Sequence, residues 1–237
     1  MKTSILVFLL IAGKLSAADW QTINADQFQA EMNAISAKVE SAHSYSVDVR
    51  YSTFESGVTE MIHDQSAGYV KYMNNKYHSM AMGIQSIQNA NERIVVDSVN
   101  RIIAITNPVS DSVKNYAPQL TSLLLKKAKS IRKRADHGYA EYQVDFTDQL
   151  TINSYLLKVD ATGLIRQVDI RYSQKIKNNN GEEKNLMLRI AFENWKLNAT
   201  FSAAEFSADH FVKSINGKYQ ATEPYAGYEL SDQRIKY

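Results

Sequence analysis

The sequence predicts an α+β protein: a curved antiparallel sheet, an N-terminal helix before it and a central helix inserted into it. Three observations carry this expectation. Residues 24–43 repeat their apolar side chains at helical spacing. From Ser44 onward most of the chain alternates with a period of two, the mark of half-buried strands. Residues 118–134 then return to helical spacing between two strand-rich runs.

Ahead of the first helix, residues 1–18 read as a signal peptide. Lys2 gives a short positive start, Ile5 to Ala12 is an unbroken apolar run, and Leu15-Ser16-Ala17 offers small residues for cleavage. The run falls short of the roughly 20 apolar residues that a membrane span needs. No linker, repeat or composition shift follows, so residues 19–237 are expected to form a single domain. The whole chain carries 27 Lys+Arg against 25 Asp+Glu, and losing Lys2 and Lys14 with the signal brings these into balance. A neutral exported protein is not expected to bind nucleic acid. With 0 cysteines it has no disulfide, thiolate nucleophile or Cys-bound metal. Stability therefore rests on the apolar core. That usage points to a bacterial envelope and to the periplasm.

In the first helix, Phe28, Met32, Ile35, Val39 and Ala42 are spaced four-three-four-three, and Asn24 with Gln27 makes a capping-box start. Residues 46–53 then alternate, with Val47, Val49 and Tyr51 on one face. Strand-like pieces follow at 59–63, 68–73, 76–82, 85–90, 93–98 and 101–106, separated by Asn, Gly or Asp turns. After the central helix come a strand with Ala140, Tyr142, Val144 and Phe146 on one face, then strands at 151–160, 164–174 and 185–196. The Asn-Gly turn before the last of these is the strongest hairpin signal in the chain. Gly217, Pro224 and Gly227 punctuate a tyrosine-rich tail expected to add an edge strand.

In residues 118–134, Leu120, Leu123, Leu124 and Ile131 form one apolar stripe, and Pro118 suits a first helical turn. A lone helix between two sheet-forming halves would lay that stripe on the sheet as a plug or lid. Lys126, Lys129, Arg132 and Lys133 spread over the rest. They read either as a solvated helix face or as a contact with an anionic surface, at about 1 kcal/mol per basic residue near an anionic membrane.

No catalytic motif is present: no G-x-S-x-G, H-E-x-x-H, Walker loop or G-x-G-x-x-G. The five histidines are scattered, none three or four residues from another. The chain is therefore expected to be no enzyme, with no catalytic residue, metal or cofactor. Fourteen Tyr and eight Phe either fill a core or line an apolar cavity.

Gly68-Tyr69-Val70-Lys71, followed by 93–98 (RIVVDS) and 101–106 (RIIAIT), resembles the central strands of the LolA-like periplasmic lipoprotein carriers. The order of elements resembles that family over most of the mature chain. The family's Arg-Pro pair after the Gly-started strand is absent; Tyr72-Met73-Asn74 stands near that place, so no latch arginine is carried over. The resemblance implies an unclosed β-barrel wrapped over helices, with an apolar cavity for acyl chains. It would be lined by Val47, Val49, Tyr51, Tyr142, Val144, Val168, Ile170, Leu188 and Ile190, under Leu120, Leu123, Leu124 and Ile131. The partners implied are lipid or lipoprotein acyl chains, together with an outer-membrane or envelope protein, bound by a monomer. A structural or interaction module of the envelope with a filled core is the competing reading. A hydrolase with a dispersed site is a third.

Overall fold

The computed structural model describes residues 19–55, 58–109, 125–147, 150–177, 181–216 and 218–234. The expected signal segment, and Leu120, Leu123 and Leu124 of the expected central helix, lie outside the described residues.

The first helix forms as the spacing requires. Helix α1 spans Ala25–Glu40. Asn24 accepts from the Gln27 N–H at 2.8 Å, and the Gln27 side chain accepts from the Asn24 N–H at 3.1 Å. This reciprocal cap is worth about 1 kcal/mol. Phe28 is the side chain that α1 buries completely.

The strands are β1 (Gln21–Thr22), β2 (Ser44–Glu55), β3 (Val58–Met73), β4 (Lys76–Ala81), β5 (Ile84–Gln88), β6 (Arg93–Asp97), β7 (Ile102–Thr106), β8 (Ala128–Asp136), β9 (Tyr139–Phe146), β10 (Ile152–Asp160), β11 (Ile165–Lys177), β12 (Glu183–Leu197), β13 (Val212–Ile215), β14 (Lys218–Ala221) and β15 (Glu229–Asp232). Among the described residues thirteen of them make one sheet, in the order β1-β8-β9-β10-β11-β12-β2-β3-β4-β5-β6-β7-β15. The edges, β1 and β15, do not meet, so this curved sheet is unclosed. The tail does supply an edge strand, but β15 runs parallel to β7, an exception to the antiparallel expectation. Strands β13 and β14 form a separate hairpin.

Two sequence expectations need correction. The pieces at 59–63 and 68–73 are one strand, because β3 pairs with β2 continuously from Ser44↔Met73 to Glu55↔Val58, with two register shifts. Gly68 therefore lies within a strand rather than starting one. Its role is steric: a Cβ there would overlap the Met80 carbonyl of β4. The second correction concerns residues 118–134, whose C-terminal half is not helical. Lys126 and Lys127 form a turn, and Lys129, Ile131, Arg132, Lys133 and Arg134 lie on β8. The reason is in the partner strand. Glu141 and Asp145 sit on the same face of β9, and Arg134 and Arg132 meet them across the pair at 2.6 and 3.0 Å. Alternation then turns Ile131 and Lys133 to the other face, where Ile131 is buried. Cross-strand ion pairs and a buried isoleucine outweigh the weak preference of the same residues for helix.

Two apolar clusters hold the sheet from opposite sides. Phe28 of α1 packs on Ile131, Tyr142, Val144, Phe146, Leu157 and Val159 of β8–β10. Ala208, Phe211 and Val212 pack on Ile87, Ile94, Val96, Ile103 and Ile105 of β5–β7. Strand register places the second set on the face away from α1: Lys71, His78, Ile87, Ile94 and Ile105 are in line, one residue out of phase with Val70 and Val47.

Candidate functional site

The face that carries α1 is built from two apolar rows that cross the sheet in register. One runs Ile131, Val144, Tyr155, Ile170, Leu188 from β8 to β12. The next runs Lys133, Tyr142, Leu157, Val168, Ile190, Tyr51 from β8 to β2. Val49, opposite Phe192, and Val47 extend the same face along β2. Every lining residue expected on the sheet thus lies on one face, joined by Ile131 as a strand residue instead of a helical one. Leu120, Leu123 and Leu124 remain outside the described residues.

Burial changes along these rows. Beneath α1 the core is packed tight: Ile131, Tyr142, Val144 and Leu157 are all less than a tenth exposed. Phe28 meets the Tyr142 ring edge-on at 5.8 Å and the Tyr155 ring at 6.3 Å. Farther along, Val168, Ile170, Leu188, Ile190 and Tyr51 are only half-buried. Val47 and Val49 are buried again at 3%. The inner face is therefore filled core at β8–β10 and a partly open apolar strip on β11, β12 and the adjoining part of β2.

One polar arrangement ties the helix to this face. Glu31 of α1 accepts from Lys133 Nζ at 2.7 Å and from the Tyr142 hydroxyl. Burial raises the Glu31 pKa, but the hydrogen bonds from Lys133 and Tyr142 and the Lys133 charge bring it below the usual value. Burial, with Glu31 beside it, pushes the Tyr142 hydroxyl well above its ordinary range. Burial alone also pushes Tyr155 well up and raises Tyr51. Lys133 also lies over the Tyr142 ring at 5.3 Å.

Across β8–β12 and β2 the opposite face carries a ladder of ion pairs. Glu141, 1% exposed, takes Arg134 and Lys158, each at 2.6 Å. Asp169 takes both arms of Arg189 at 2.8 Å. Arg50 meets Glu193 at 2.7 Å. The four basic residues expected to share one surface are thus divided. Lys126 and Lys129 are exposed, Arg132 pairs with Asp145 on the outer face, and Lys133 pairs with Glu31 on the inner face. Among the described residues no group of three His, Cys, Asp or Glu is gathered as a metal site.

Sequence reading missed Tyr155 and Leu157 in the two rows, and Phe28 as their anchor. The signal was present: Tyr155, Leu157 and Val159 alternate along β10 as the chosen residues do on β9.

No family model matches the chain, and no curated protein matches it. Solved structures match the chain at low identity. An uncharacterized conserved protein from Thermus thermophilus matches with a TM-score of 0.42 at 8% identity, over 85% of this chain and 99% of its own. The lipoprotein LppX of Mycobacterium tuberculosis matches with a TM-score of 0.40 at 11% identity, over 76% of this chain and 99% of its own. A LolA superfamily protein from Nitrosomonas europaea matches with a TM-score of 0.24 at 11% identity, over 79% and 99%.

Proposed function

We propose that this protein is an exported, non-enzymatic carrier or chaperone that holds the acyl chains of a lipid or lipoprotein on the inner face of its sheet. One observation carries the reading. The in-register rows leave the sealed core under α1 and continue as half-buried Val168, Ile170, Leu188, Ile190 and Tyr51, while the opposite face is charged. An acyl chain laid there would cover apolar surface at about 25 cal/mol per Å². The sealed part, with Tyr142 hydrogen-bonded to Glu31, supports a filled core for β8–β10 alone. Ligand binding is therefore assigned to β11, β12 and β2.

The test is native mass spectrometry of the mature protein purified from its own host's envelope. A co-purifying lipid or acylated peptide, lost in Leu188→Asp with thermal stability retained, is expected. A bare mass under gentle conditions would contradict the carrier reading and leave the envelope interaction module.

A further inference from the structure

The C-terminal segment 201–228 is docked on the outer face of β3–β7 by a polar group centred on one histidine. His78 of β4 is 9% exposed. Tyr69 Oη and Gln85 Nε2 lie 2.8 and 2.9 Å from its Nε2. An amide nitrogen only donates, so His78 Nε2 accepts and carries no proton. Its Nδ1 is buried and makes no full-strength hydrogen bond, although the Glu205 main-chain carbonyl of the docked segment acts on the ring as a weak acceptor. The docked segment meets this ring directly. His210 stacks on it at 6.2 Å, and Glu205 pairs with neighbouring Lys71 at 2.7 Å.

We propose that His78 is a proton-operated latch: its neutral ring holds the segment 201–228 against the sheet, and protonation loosens it.

The surrounding groups set the direction. A proton on Nε2 would face the Gln85 amide N–H, donor against donor. The new cation would stand beside Lys71 of β3 and, from the docked segment, His210. Glu205 is the carboxylate that answers it, already engaged with Lys71. The Asp209 carboxylate accepts from the Ser207 hydroxyl at 2.9 Å, and the Asp209 N–H donates to that hydroxyl oxygen at 3.2 Å. Tyr69 and Tyr225 complete the titratable surroundings, and burial holds the Tyr225 hydroxyl above its usual range. Burial foremost lowers the His78 pKa from 6.5; the Glu205 main-chain carbonyl, and more weakly its carboxylate, pull the other way, but with Lys71 and His210 adding to burial the net direction is down. The docked state therefore binds its proton less readily than the undocked one. Docking is strongest well above pH 6.5, weakens as pH falls below it, and levels off once pH passes under the docked pKa. Each unit of depression is a tenfold loss of docking. The apolar contacts of Phe211 and Val212 keep the response graded rather than complete.

Amide hydrogen exchange between pH 8 and 5, corrected for intrinsic rates, tests this. Peptides covering 203–215 are expected to exchange several-fold faster at pH 5, and peptides covering 139–160 to be unchanged. The midpoint should coincide with the NMR titration of the His78 ring in the same protein. His78→Gln keeps a neutral polar side chain and is expected to flatten the response. Different midpoints in the wild type, or a response that survives His78→Gln, would overturn the latch. If that variant fails to fold, the wild-type midpoints decide alone. A response that vanishes in His210→Gln but persists in His78→Gln would also overturn it.

Discussion

Arg134 Nη2 lies 2.6 Å from the carboxylate of Glu141, whose side chain is almost wholly enclosed between Arg134 and Lys158. Removing both cations strands a buried charge. The double variant Arg134→Met, Lys158→Met is expected to lose about 3–5 kcal/mol in urea unfolding. Arg134→Met alone should lose less, because Lys158 remains. Wild-type stability in the double variant would contradict this account of β8 and β9.

Phe28 is the side chain by which α1 enters the core, 1% exposed against Tyr142 and Tyr155. Phe28→Ala is expected to cost about 3–5 kcal/mol. Met32 and Ile35, packed at the margin of the same cluster, should each cost less on truncation. Thermal or urea unfolding of the three variants gives the order.

Gly68→Ala is expected to be among the most damaging single substitutions, at upward of about 4 kcal/mol. The added Cβ meets a backbone carbonyl, that of Met80, which cannot rotate away as a side chain would. Soluble expression at wild-type yield would show that β3 and β4 separate more easily than their pairing implies.

Asp160 closes the turn between β10 and β11. Burial raises its pKa, but hydrogen bonds from the Thr162 hydroxyl, the Leu164 N–H and Arg166 outweigh this and hold it at about 2, against 3.8. Its ionised form therefore favours folding. The contribution, about 2 kcal/mol, is present above pH 3.8 and lost as pH falls through about 2. The stability gap between wild type and Asp160→Asn should narrow from pH 5 to pH 2. A constant gap would contradict the assignment.

Strand alternation made the inner face legible in the sequence. Val47, Val49, Tyr51, Tyr142, Val144, Val168, Ile170, Leu188 and Ile190 share a face because a period of two leaves no other choice once the strands pair. The α1 cap was equally local, since Asn24 and Gln27 are three residues apart. Residues 128–134 misled because Ile131 fits a helical stripe and a strand alternation alike. The deciding information lay on β9, where Glu141 and Asp145 match Arg134 and Arg132. Which part of the face is sealed was also not local, for it depends on where Phe28 lands. The His78 cluster joins β3, β4 and β5 to residues beyond 200, a proximity that no sequence spacing records.

The most direct test places a reporter on each face of one strand. Tyr51→Trp sits on the inner face, and Arg50→Trp, one residue away, on the outer. Fluorescence of each is measured while a brominated fatty acid is added. The account predicts saturable quenching at position 51 and none beyond the background of Trp20 and Trp195 at position 50. Equal quenching at both, or none at 51, would contradict an acyl-binding inner face.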